Sequence, residues 1–124
     1  MDEIEVTVRT PLHATEDRGR VECAVRNLFP DAGFEEDGGT LVARSGSVER
    51  LRELVEAQEI NETAREELRE STVGDTVVFR LSKQPATVGR LNFDVGGHEL
   101  GALRVRAETD DVEAFVGYVT GADA

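Results

Sequence analysis

Thr76-Val77-Val78-Phe79-Arg80-Leu81-Ser82 is the stretch on which the fold turns. Val77, Phe79 and Leu81 fall on one side of an extended chain and Arg80 on the other, the period-two alternation of a half-buried strand. Lys83-Gln84-Pro85 breaks the run and reads as a loop. Downstream, Arg90 to Val95 reads as a strand with Leu91 and Phe93 inward. Gly96-Gly97-His98-Glu99 reads as a hairpin tip, and Ala102 to Glu108 as the returning strand with Leu103 and Val105 inward. Asp110 or Asp111 caps a closing helix in which Val112, Phe115, Val116 and Val119 recur at helical spacing.

Upstream the same reading continues. Ser47 opens a helix with Val48, Leu51, Leu54 and Val55 inward, and a thinner stripe of Ile60, Ala64 and Leu68 marks an exposed helix from about Asn61 to Glu70. Ala32 to Glu36 and Thr40 to Arg44 flank Asp37-Gly38-Gly39, a turn tolerant of positive φ, and predict a hairpin. Before it, Thr15 caps a helix with Glu16 and Asp17 in its first turn and Val21, Ala24, Val25 and Leu28 buried. Phe29-Pro30-Asp31 ends that helix. Glu3 to Thr10 alternates with Ile4, Val6 and Val8 inward until Pro11. The order β-α-β-β-α-α-β-β-β-α predicts one α+β domain over residues 1–124, with helices packed on one face of a largely antiparallel sheet.

The composition bounds the rest. At 124 residues with 39% apolar content, the chain can fill one modest core and is not a disordered acidic tail. No long apolar run and no basic leader occur, so a membrane span or signal peptide is not expected and a cytoplasmic location is. One cysteine, Cys23, excludes an intrachain disulfide. Twenty-six acids against fourteen bases give a net charge of −12, and the bases are thirteen arginines and a single lysine, Lys83. Acid excess with lysine nearly eliminated fits a protein working in molar intracellular salt, where the Debye length is about 3 Å and self-repulsion is small. In such a setting net charge no longer argues against nucleic acid.

Signatures of catalysis are missing. His13 and His98 sit in no metal-ligand frame, Gly96-Gly97 joins strand to strand rather than strand to helix, and no nucleophile elbow or phosphate-binding loop occurs. No enzyme activity, cofactor or metal is implied. Cys23 points away from its helix's buried stripe; it is either a small surface group or a reactive thiol, with only Arg20 and Arg26 nearby to lower its pKa.

The arginines are the more informative residues. If the strands bury the residues named above, their other faces carry Arg9, Arg44, Arg80, Arg90, Arg104 and Arg106 together with Asn92, alongside Glu3, Glu5, Glu36, Asp94 and Glu108. A sheet with one helix-covered face and one arginine-bearing face suits phosphate contacts or base stacking. Cross-strand ion pairing on a solvated face and a homodimer or protein interface remain alternatives. Lys83, beside Gln84, is a candidate phosphate contact, since a compact ammonium binds as a point charge, or it survives by chance. Arg9 and Arg18, near the first helix start, are auxiliary candidates.

Five strings carry a resemblance to an uncharacterised archaeal protein family of about this length: Val8-Arg9-Thr10-Pro11-Leu12-His13-Ala14-Thr15-Glu16-Asp17, Asn27-Leu28-Phe29-Pro30-Asp31-Ala32, Ser82-Lys83-Gln84, Leu91-Asn92-Phe93 and Leu100-Gly101. That family is similar in fold to the ribosomal-protein-L-five-like α+β class. The resemblance implies RNA of ribosomal or transfer class as a partner and points to Lys83, Gln84 and Asn92; it carries no established activity. Pro85, where the family usually has a small residue, and the halophilic surface depart from the pattern.

Overall fold

The alternation of apolar residues is realised in a computed structural model that describes residues 3–94 and 102–121. The elements are β1 (Ile4–Pro11), α1 (Arg18–Leu28), β2 (Gly33–Asp37), β3 (Thr40–Ser45), α2 (Glu49–Ala57), α3 (Asn61–Glu70), β4 (Thr72–Val73), β5 (Thr76–Ser82), α4 (Lys83–Ala86), β6 (Ala102–Thr109) and α5 (Val112–Thr120). All strands join one antiparallel sheet in the order β2-β3-β1-β6-β5-β4. Val6 and Val8 of β1, Val77, Phe79 and Leu81 of β5, and Leu103, Val105 and Ala107 of β6 share one face and one apolar cluster. The stripes of α1, α2, α3 and α5 enter that cluster, so the helices cover this face. No helix among the described residues is long and apolar enough to cross a membrane.

Local signals place most boundaries. Gly38 and Gly39 both have positive φ, 54° and 84°, and make a two-residue turn closed by the Asp37–Thr40 pair. Asp111 caps α5 by accepting from the Ala114 N–H, and Gly121, at φ 72°, ends it in the left-handed region. Ser47 accepts from the Glu49 N–H at the start of α2.

Four expectations are corrected. The cap of α1 is Asp17, which accepts from the Gly19 N–H, not Thr15. Glu16 is drawn backwards, its carboxylate accepting the His13 N–H at 3.0 Å, so the helix starts later. Of the expected strand from Arg90 to Val95, the described residues 90–94 form no strand. Arg90 is held in the turn after α4 by its N–H to the Pro85 carbonyl, and only Asn92 to Asp94 reach the edge of β5, through the Leu81–Phe93 bridge. The sheet's sixth strand is instead β4, two residues folded back across Gly74. Lys83-Gln84-Pro85 is not a loop but most of a single helical turn, where proline costs no hydrogen bond. The expected hairpin tip Gly96-Gly97-His98-Glu99, with Val95, Leu100 and Gly101, lies outside the described residues.

Candidate functional site

Register decides which outward residues meet. Arg9 on β1 lies directly opposite Arg104 on β6, and Arg104 directly opposite Arg80 on β5. Three arginines therefore form a transverse row on the face the helices leave open, spanning two strand spacings, or about 10 Å. All three are exposed, and none makes an ion pair or side-chain hydrogen bond among the described residues. Acids flank the row. Beyond Arg9 come Val42, buried although it lies on this face, and then Glu35. At the other end the Leu81–Phe93 bridge sets Asp94 opposite Arg80.

One step along the strands runs a second row, Arg44, Thr7, Arg106 and Val78. Here the guanidinium groups are neutralised within the sheet: Arg44 pairs with Glu35 at 3.1 Å and Arg106 with Glu108 at 3.0 Å. The open face thus divides into a compensated part and an uncompensated row. The expected acid Glu36 is on the other side of the sheet; its partner Leu41 has the inward parity, and Glu36 binds Arg18 of α1 at 3.1 Å. Glu35 takes its place on the arginine side.

The remaining candidates are spread out. Arg18 lies on the helix side, engaged by Glu22 at 2.7 Å as well as Glu36. Ser82 and Asn92 face each other one pair beyond Arg80 and Asp94, which puts the exposed Asn92 on the arginine side. Arg90 and Gln84 are exposed around α4. Cys23 is exposed on α1.

Lys83 does not join the row. Its ammonium donates to the Pro11 carbonyl at 2.9 Å and to both Glu16 oxygens at 3.1 Å, and its side chain is only 12% exposed. It therefore ties the end of β5 to the end of β1 and to the loop leading into α1. Close by, Asn27 of α1 donates to the Ala86 carbonyl at 2.8 Å. Glu16 and the Pro11 carbonyl were not anticipated as Lys83's partners, because they stand 67 and 72 residues away in the chain. Burial pushes the Glu16 carboxyl up, but the His13 N–H, the Lys83 hydrogen bond and the positive charge around it outweigh burial and hold it below its ordinary 4.5.

A family model described as RNA binding matches residues 5–109. A UPF0200/UPF0201 protein of Archaeoglobus fulgidus is 36% identical over 119 residues, covering 94% of this chain and 37% of that protein. A UPF0201 protein of Methanocaldococcus jannaschii is 35% identical over 115 residues, covering 89% of this chain and 66% of that protein. The chain therefore spans little more than a third of the first relative and just under two thirds of the second. The crystal structure of a UPF0201 protein superposes with a TM-score of 0.88 at 35% identity, covering 94% of this chain and 92% of the other.

Three expectations follow from these contacts. Like charges directly opposite destabilise a sheet, so Arg104→Thr, which relieves two repulsions at once, is expected to stabilise the fold by about 1 kcal/mol at low salt. Thermal midpoints in about 0.2 M and 3 M KCl check this: the gain should shrink as screening rises, and a loss at both would mean the row is not repulsive. Lys83→Arg is expected to cost about 2 kcal/mol in urea unfolding despite keeping the charge, because a planar guanidinium cannot replace a point charge shared by three acceptors. An unchanged midpoint would contradict the tie. Finally, a lowered Glu16 carboxyl stabilises the fold above pH 4.5, and that stability is lost as pH falls through the folded-state value. Glu16→Gln should therefore lower the melting temperature near neutrality and flatten its fall in acid; parallel pH curves for both proteins would refute the assignment.

Proposed function

From the premise that this chain belongs to the UPF0201 family, a family with archaeal members, we propose that it is a non-catalytic RNA-binding domain whose interface is the open face of the sheet. The observation that carries this reading is the row Arg9, Arg104 and Arg80, uncompensated among the described residues. Side chains of one sign held opposite one another cost stability, and the neighbouring arginines of the same face have carboxylate partners. A phosphate backbone supplies the missing counter-charge. The RNA-binding description of the matching family model supports the same partner.

Arg106 and Asn92, on the same face, extend the interface; Arg90 and Gln84 lie around α4, a segment held to α1 by Asn27, and are left out of it. Arg18 and Lys83 support it from outside, Arg18 by bracing α1 against β2 and Lys83 by fixing where β1 ends. On the high-salt reading of the composition, long-range attraction is largely screened. Binding then rests on short-range bidentate contacts of the kind guanidinium groups make with phosphate. The same row argues against face-to-face pairing of two copies. A twofold contact centred on it would bring six guanidinium groups together without an acid between them.

The test is binding of labelled bulk archaeal RNA in multimolar KCl by the wild type and by an Arg9→Gln/Arg80→Gln/Arg104→Gln variant, with solution mass measured in parallel. Saturable binding by the wild type, weakened at least about 10-fold in the variant, is the expected outcome. No binding, together with a dimer whose formation the variant abolishes, would transfer this face to a protein partner.

A further inference from the structure

We infer that the RNA taken by this face is base-paired, and that it is held by its backbone across the shallow groove rather than through unstacked bases. The inference rests on the RNA-binding reading and names the substrate class of the same site. Sheets that read single strands do so largely by stacking bases on aromatic side chains. The chain contains five Phe, one Tyr and no Trp, and all six aromatics are among the described residues. Each belongs to the helix-covered side. Phe29, Phe79 and Phe115 are buried in the core. Phe93 packs on Phe79 at 6.1 Å between ring centres. Phe34 lies under Arg26 of α1 and Tyr118 under Arg52 of α2, each at 4.7 Å. No aromatic ring of these types is left for the open face.

What that face does offer matches an A-form duplex. Such a duplex has a wide, shallow minor groove bordered by two phosphate backbones and lined with 2′-hydroxyls. The arginine row crosses about 10 Å of the sheet, and its exposed, long side chains can fan towards phosphates on either border. Short polar side chains lie flush beside it: Thr7 between Arg44 and Arg106, and Ser82 opposite Asn92. Hydroxyl and amide groups at that level can meet 2′-hydroxyls while the arginines reach the backbone. The acids Glu35 and Asp94 at the two ends of the row, with Glu5 and Glu108 further along the strands, limit the basic strip to a few phosphates.

The experiment is a competition assay on the full chain in about 0.3 to 3 M KCl. A short RNA duplex, either of its single strands, and a DNA duplex of the same sequence compete with a labelled RNA hairpin. The RNA duplex is expected to compete at least about 10-fold better than the single strand or the DNA duplex. The logarithm of affinity should fall against that of salt with a slope of about 2 to 3, the signature of two or three phosphates contacted. Arg104→Gln should lose affinity for the RNA duplex while Arg50→Gln, on the helix side, keeps it; both variants are verified as folded by their melting curves. Single strands competing as well as or better than the duplex would overturn this inference and leave the RNA-binding reading standing. Equal competition by duplex DNA would likewise overturn it. Binding of no nucleic acid at all would remove the reading itself.

Discussion

Strand β6 pairs on both sides, and that double pairing constrains everything around it. Its buried residues Leu103, Val105 and Ala107 must lie on the same face as Val6 and Val8 of β1 and Val77, Phe79 and Leu81 of β5, or the core would be cut by a polar strip. With period two, a shift of one residue would turn every side chain of β6 to the other face. The register that keeps the core continuous places Arg104 between Arg9 and Arg80. The arginine row is thus a consequence of apolar packing on the far side of the sheet, and it cannot be moved without rebuilding that packing.

This explains what could and could not be read from the chain. Alternation in β1, β5 and β6, the Asp37-Gly38-Gly39 turn between β2 and β3, and the apolar stripes of α1, α2, α3 and α5 are local signals, and together they mark five strands, four helices and the arginine-bearing face. β4 is two residues long and has no period to detect. The 90–95 segment carries the inward pair Leu91 and Phe93, yet a turn held by the Pro85 carbonyl consumes its first residues. Strand order is set by contacts between β1 and β6, nearly a hundred residues apart, so the sequence put arginines on one side but could not align them. The same blindness hid the difference between Arg106, which has its acid two residues along the strand, and Arg104, which has none among the described residues.

Lys83 shows why a lone residue's neighbourhood is not legible in the chain. It stands among thirteen arginines, and its compact ammonium meets three acceptors at once. The acceptors that need it are the Pro11 carbonyl and the Glu16 carboxylate, within the molecule. β1 and β5 are not neighbours, because β6 separates them, so Lys83 clasps two strands across the end of a third. It thereby steadies the outer pairs on either side of β6, and with them the lateral spacing of the arginines. In molar salt an exposed pair would contribute little, whereas a pair shielded by burial keeps much of its strength.

The row also bears on the balance between stability and binding. A sheet selected only for stability would place threonine or a carboxylate at position 104, as the neighbouring row does by giving Arg106 and Arg44 their acids. Retaining three guanidinium groups in register, uncompensated among the described residues, makes thermodynamic sense where a polyanion regularly occupies the face, because the repulsion present in the free protein is then relieved on binding. High salt makes the arrangement cheaper to keep. Screening at a Debye length of about 3 Å weakens repulsion between guanidinium groups one strand spacing apart, while direct contact with a phosphate, made inside that length, is weakened less. The setting suggested by the acidic composition therefore favours the two properties the proposed interface needs together: tolerance of like charges in the free sheet, and selectivity for partners that touch it directly.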